Sequence, residues 1–275
     1  MIKGSTKLIA HLGYPTTTFK APMIYNPWFE FRGIDAIVVP MGVRPEDYAD
    51  YLRLTFRLSN IHGALVTMPH KVATVALADR VSVTAQIAGS ANALRLGADG
   101  LIEADMFDGE GFVAGVLNKG QQIAGASVLV VGAGGVGSAI AASLAKAGAA
   151  HLALFDPAGA EALAGRLTAA YPDLKVTTGS KDPAGFDIVV NASPLGMKPE
   201  DPLPMDVSRI DPATFVGEVV MKAEMTPFLA AAAERGCRYQ VGTDMLFEQI
   251  PAYLDFFGFG KPPVQELRDH AAISY

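Results

Sequence analysis

The chain has 275 residues, enough for one large α/β unit or two modest lobes, and half of it is hydrophobic, with 28 glycines and 18 prolines marking a compact, turn-rich protein. A net charge of -6 offers no basic field to a phosphate backbone or an anionic bilayer, which excludes nucleic acid and membrane as partners. The single cysteine, Cys237, excludes an internal disulfide and supplies no metal-ligand spacing, so no metal is expected.

The first stretch, MIKGSTKLIAHLGYP, starts basic, but its apolar run is short and broken by glycine and proline. It fits neither a signal peptide nor a membrane span, and the cytoplasm is the expected location. KLIAHLG, AIVVPMGV and GALVTMP read as short apolar strands, separated by amphipathic stretches such as PEDYADYLRLTFRLSN. Such alternation predicts an α/β fold with parallel strands and crossover helices. The third strand runs into VTMPHK, Val66 to Lys71, a β-branched run stopped by proline; by itself its lysine reads as an ordinary solvated charge. ALRLGADGLIEADMF predicts a hairpin, after which DGEG, Asp108 to Gly111, opens a new helix and marks the domain boundary. No repeat or low-complexity tether interrupts the chain.

The strongest local pattern follows. Ser127 to Val131 is a buried-strand run, GAGGVG spans Gly132 to Gly137, and SAIAASLAKAG is an alanine-rich helix closing on glycine. This is what a dinucleotide requires: Gly132 for the tight turn, Gly134 for backbone approach to the pyrophosphate, Gly137 for close helix–strand packing, with Gly135 and Val136 at the helix start. The phosphates would meet free N–H groups at the positive end of the helix. A second strand, HLALFD, ends in Asp156, whose carboxylate suits the ribose hydroxyls and would repel a 2′-phosphate, so NAD is expected over NADP. The plainer reading of Asp156 is a cap for the next helix.

With VTMPHK ahead of GAGGVG, and NASPLGM and GTDMLFEQ behind it, the chain resembles the shikimate dehydrogenase family, which includes the quinate dehydrogenases. LGYPTTTFKAPMIYN, GSANAL and DMFDGEG extend the resemblance, in order, over nearly the whole length. It implies an N-terminal α/β substrate lobe (1–107, completed by 243–275) and a Rossmann NAD-binding domain (108–242). Lys71 stands at the family's catalytic lysine and Asp108 at its partner aspartate. The chemistry suits such a pair, because oxidising a secondary alcohol needs a group to accept the hydroxyl proton while hydride goes to the nicotinamide. The resemblance also implies substrate contacts at Thr67, Asn92 and Gln249, and cofactor contacts at Asn191, Ser193, Val219 and Gly242, with Met197 and Met245 near the ring or in the core. A small-molecule substrate and a monomer or homodimer are expected.

The substrate loop departs from that family. Its two carboxylate-binding serines are Phe19 and Ala21 here, flanking Lys20, and the tyrosine that reaches the same carboxylate is Met221. The asparagine usual before Val66-Thr67 is Leu65, and Met106-Phe107 precede the aspartate. Charge-assisted bonds lost together weaken carboxylate binding. The expectation is a dehydrogenase for another cyclic hydroxy acid or polyol, with Lys20, Arg44 or His70 as replacement anion contacts or as exposed basic side chains. An NAD-binding sensor without catalysis and an ordinary shikimate or quinate dehydrogenase remain alternatives.

Overall fold

A computed structural model describes residues 1–198 and 200–273. The chain forms two compact units: residues 1–107 with the segment from Ile250 onward, and Asp108–Gln249.

The first unit opens with β1 (Lys7–Gly13), α1 (Pro22–Phe31), β2 (Ala36–Gly42), α2 (Tyr48–Thr55), β3 (Ile61–Val66) and α3 (Lys71–Leu77). It continues through β4 (Arg80–Val81), α4 (Val83–Ala88), β5 (Ala93–Leu96) and β6 (Ile102–Asp105). The sheet order is β2-β1-β3-β5-β6-β4. β1 lies parallel between β2 and β3, as the alternating pattern predicts. The expected hairpin is the antiparallel pair β5–β6, and β5 is also antiparallel to β3. β2 carries Pro40 because it is an edge strand, where a missing N–H costs no ladder bond. Asn26 of α1 covers that edge, donating from Nδ2 to Val38 O and accepting from Val38 N at 3.0 and 2.7 Å.

The second unit contains α5 (Asp108–Asn118), β7 (Ser127–Val131), α6 (Gly135–Lys146), β8 (His151–Phe155), α7 (Glu161–Ala170) and β9 (Lys175–Thr178). β10 (Ile188–Asn191), β11 (Phe215–Glu218), α8 (Pro227–Glu234), β12 (Tyr239–Gln240) and α9 (Gly242–Glu248) complete it. Its sheet, β12-β11-β10-β7-β8-β9, is wholly parallel. Val128 to Val131 are all buried, as a strand covered on both faces demands. The order runs outward both ways from the β7–β10 pair, so their C-terminal ends form the switch point where such sheets bind ligands.

α9 belongs to this second unit, so the chain returns to the first at Ile250 rather than at Thr243. The reason is close packing on α5: a Cβ added at Gly111 would stand 2.7 Å from Met245 O and 2.6 Å from Gln249 Cβ. α10 (Ile250–Phe256) and α11 (Val264–His270) then complete the first unit. Trp28 of α1 donates to Glu266 of α11 at 2.7 Å, and Phe29 meets Phe259 edge-on. Among the described residues no helix is long and apolar enough to cross a membrane.

Candidate active site

In the first unit the site gathers at the C-terminal ends of β1 and β3. Thr67 N donates to Leu12 O at 2.9 Å and Tyr14 N to Met68 O at 3.0 Å, which ties the two strand ends together. Lys71 is the first residue of α3, and its carbonyl accepts from Ala91 N at 2.9 Å. Asn92 is thereby held beside the lysine turn. Its side chain is also used locally, Oδ1 accepting from Phe107 N at 2.9 Å, and Asn92 is fully buried.

The substrate loop folds onto the same place. Phe19 stacks on His11 at 4.1 Å between ring centroids, and a Cβ added at Gly13 would stand 2.8 Å from its Cζ and 2.4 Å from Thr67 Cγ2. Only glycine at position 13 admits both side chains. Ala21 follows as the residue preceding α1, and Lys20 is exposed. Burial, then the charge of Lys71, push the His11 imidazole down to about 4, so it is neutral near pH 7.

One of the candidate anion contacts turns out otherwise. His70 is buried, not exposed: its Nε2 bonds with Val43 O at 2.8 Å and its ring lies flat on Tyr48 at 4.0 Å. Burial lowers its pKa, so it is a neutral packing residue without a charge to offer. Arg44 stands over the Tyr14 ring, 6.0 Å from its centroid.

The second unit carries the glycine turn. Gly132 has φ +108°, and a Cβ there would lie 2.6 Å from Ala192 C and O, so the Ala192-Ser193 backbone crosses where a side chain would be. A Cβ at Gly137 would lie 1.9 Å from Gly132 O, which is the helix packing on its own turn. A Cβ at Gly134 would meet nothing within 4 Å. That open side, at the start of α6 with Gly135 and Val136, fits a pyrophosphate on backbone N–H groups. Asp156 faces the turn: Oδ2 accepts from Ala133 N at 2.8 Å and Oδ1 from Ala158 N at 2.9 Å.

At the end of β10, the Asn191 amide is fully engaged. Nδ2 donates to Leu195 O and Glu218 Oε1, both at 2.9 Å, and Oδ1 accepts from Ser193 N and Ser193 Oγ at 3.1 and 2.6 Å. Asn191 and Ser193 therefore build the loop, and what they offer a ligand is backbone. Val219 N donates to Asn191 O at 3.2 Å, and a Cβ at Gly242 would stand 2.3 Å from Val220 O, so these positions converge. Met245 is a core residue, 4% exposed, whereas Met197 and Met221 are each 53% exposed. Asp108 is buried at the start of α5, and Gln249, also buried, packs on the same helix at Gly111 with its Oε1 unpartnered. Among the described residues no cluster of His, Cys, Asp or Glu could hold a metal.

Sequence reasoning passed over two residues. His11 is a lone histidine in an apolar strand, and Glu218 an acid closing a buried one; each was visible as a polar residue inside KLIAHLG and FVGE.

The sequence model described as shikimate dehydrogenase substrate binding domain matches residues 12–94, and one for the ThiF family matches 113–163, across the glycine turn. A shikimate dehydrogenase (NADP(+)) of Acidiphilium cryptum is 35% identical over 260 residues, covering 94% of this chain and 93% of that protein. The chain belongs to the shikimate and quinate dehydrogenase family. It is an oxidoreductase of that type, with the substrate-lobe and Rossmann architecture of the family. A shikimate 5-dehydrogenase of Listeria monocytogenes, solved with shikimate and NAD, superposes with a TM-score of 0.90 at 26% identity, covering 98% of this chain and 97% of that one. A quinate dehydrogenase of Corynebacterium glutamicum, solved with NAD, gives 0.86 at 28%, covering 96% and 98%.

Proposed function

We propose that this shikimate and quinate dehydrogenase-type enzyme uses NAD to oxidise, reversibly, a secondary alcohol of a cyclic hydroxy acid or polyol, and that shikimate is not its preferred substrate. The observation that supports this reading is the Phe19 ring, stacked on His11 and lodged against Gly13, in the loop where the family presents a serine hydroxyl. Hydroxyl donors to a carboxylate contribute about 1.5–3 kcal/mol each, so losing the serines at 19 and 21 and the tyrosine at 221 removes at least a hundredfold in carboxylate binding.

The bound nicotinamide supplies the hydride acceptor. Lys71 Nζ accepts the hydroxyl proton as the carbonyl forms, and Asp108 is the second catalytic position. Thr67, Asn92 and Gln249 hold substrate hydroxyls, Asn92 through what its bond to Phe107 N leaves over. Gly132, Gly134, Gly135, Val136 and Gly137 take the pyrophosphate, Asp156 takes the adenosine ribose, and Asn191, Ser193, Val219 and Gly242 line the nicotinamide pocket. The first unit is the substrate lobe and the second the dinucleotide domain.

A second reading, an ordinary shikimate or quinate dehydrogenase with NADP, draws on the names of the curated relatives. Reduction of NAD and NADP with shikimate, quinate and uncharged cyclic polyols separates the two. Preferred turnover of a compound other than shikimate with NAD supports the first; efficient turnover of shikimate with NADP supports the second. Lys71→Ala is expected to lower kcat by about 10²- to 10⁴-fold with the Kd for NAD unchanged. Unchanged turnover in that variant would remove Lys71 from the chemistry.

A further inference from the structure

Three histidines of this protein place Nε2 against a protein oxygen: His62 on Phe257 O at 2.6 Å, His70 on Val43 O at 2.8 Å, and His151 on Thr177 Oγ1 at 2.8 Å. His11 departs from that pattern. It is 7% exposed, and its Nδ1 is buried without a partner among the described residues. Buried polar groups are nearly always satisfied, so an imidazole left in this state lowers stability; Nδ1 is sealed off, but Nε2 is not and has no partner among the described residues, and that ring edge is where a ligand can bond.

Register says where the ring stands. His11 on β1 is the Cα partner of Leu65 on β3, and neighbouring positions of parallel strands project to the same face. One step further along that face come Gly13 and Thr67, whose methyl group lies where a Cβ at position 13 would be. Lys71 is near enough for its charge to act on the imidazole. Leu65 occupies the position at which the family usually has asparagine. The polar group of this wall has therefore moved one strand sideways, from β3 to β1. Being neutral near pH 7, the imidazole carries both a donor and an acceptor nitrogen.

We propose that His11 is a specificity-determining residue of the reaction, hydrogen-bonding a substrate hydroxyl from β1 in place of the polar side chain that the family carries at position 65 on β3. This rests on the proposed dehydrogenase reading and deepens it. The substrate end that meets Phe19 and His11 is a hydroxyl-bearing ring edge, because the phenyl ring and the neutral imidazole stacked at 4.1 Å bring no charge of their own to a carboxylate.

The test is steady-state kinetics with NAD on shikimate, quinate, myo-inositol and scyllo-inositol, using the wild type, His11→Leu, His11→Gln and the double variant His11→Leu/Leu65→Asn. For the probe that the wild type turns over best, His11→Leu is expected to lose about tenfold in kcat/KM, through KM of the probe, with KM for NAD unchanged. Its Tm should not fall, since leucine removes a buried unpaired polar atom. His11→Gln should lose less, and Leu65→Asn should restore at least threefold of what His11→Leu loses. A role in packing alone predicts the opposite combination, lower Tm with kcat/KM retained, and that result overturns the proposal. So does a His11→Leu enzyme within twofold of wild type. If the wild type binds NAD but turns over none of the probes, the dehydrogenase reading for this substrate class fails, and the role of His11 fails with it.

Discussion

Asp156 accepts one backbone N–H on each carboxylate oxygen, from Ala133 and from Ala158, and each oxygen keeps a second lone pair. The same charge can therefore brace the glycine turn and still receive the two hydroxyls of an unphosphorylated ribose. On the proposed NAD reading, a 2′-phosphate would face the carboxylate instead, with no arginine directly after it to compensate. Asp156→Ser is expected to raise the ratio of kcat/KM for NADP to that for NAD by about tenfold or more, which corresponds to about 1.4 kcal/mol of relieved repulsion. Initial rates with both cofactors measure it. A ratio unmoved by the substitution would mean that Asp156 only braces the turn.

At the scale of elements, the substrate loop is the piece whose sequence and position decide the most. Phe19 reaches back over β1 because Gly13 leaves the space, so the loop's apolar residue becomes part of the wall rather than a surface side chain. Phe19→Ser/Ala21→Ser returns two hydroxyls to that wall and is expected to raise kcat/KM for shikimate by about tenfold or more. No gain would place the determinant elsewhere, with Met221 or Leu65 as the next positions to change. The same loop marks the limit of what the sequence discloses. Apolar runs and glycines announce β1, β7 and the turn before α6, because their signals are local. The partners of His11 and of His70 depend on which strands are neighbours and in which register, and a lone histidine in an apolar run carries neither. The antiparallel pairing of β5 with β3 and the return at Ile250 were illegible for the same reason, since packing between distant segments decides both. Asn191 shows the reverse case: a motif residue was legible, but only coordinates reveal that its whole amide is spent inside the loop.

On the scale of the whole molecule, Glu218 ties the stability of the fold to pH. It is fully buried at the end of β11, where Asn191 Nδ2, Val219 N and Val220 N reach Oε1 and Thr226 Oγ1 reaches Oε2 at 2.9, 3.2, 3.3 and 3.0 Å. Thr226 caps α8 in turn, so one carboxyl joins the β10 loop, the segment after β11 and a helix start. Burial outweighs these donors and raises its pKa from 4.5 to about 7. The folded state therefore holds a proton that the unfolded chain releases. Its contribution to stability is full below pH 4.5 and is lost as pH rises to about 7, amounting to a few kcal/mol at most. Glu218→Gln keeps an oxygen for Asn191 and the two amides and lets Thr226 accept instead of donate, while removing the titration. The Tm of the wild type relative to this variant should fall between pH 5 and pH 8, which thermal melts in matched buffers would read. Parallel Tm curves across that range would mean that the four donors hold Glu218 ionised throughout, and that a charge, rather than a proton, joins the β10 loop to α8.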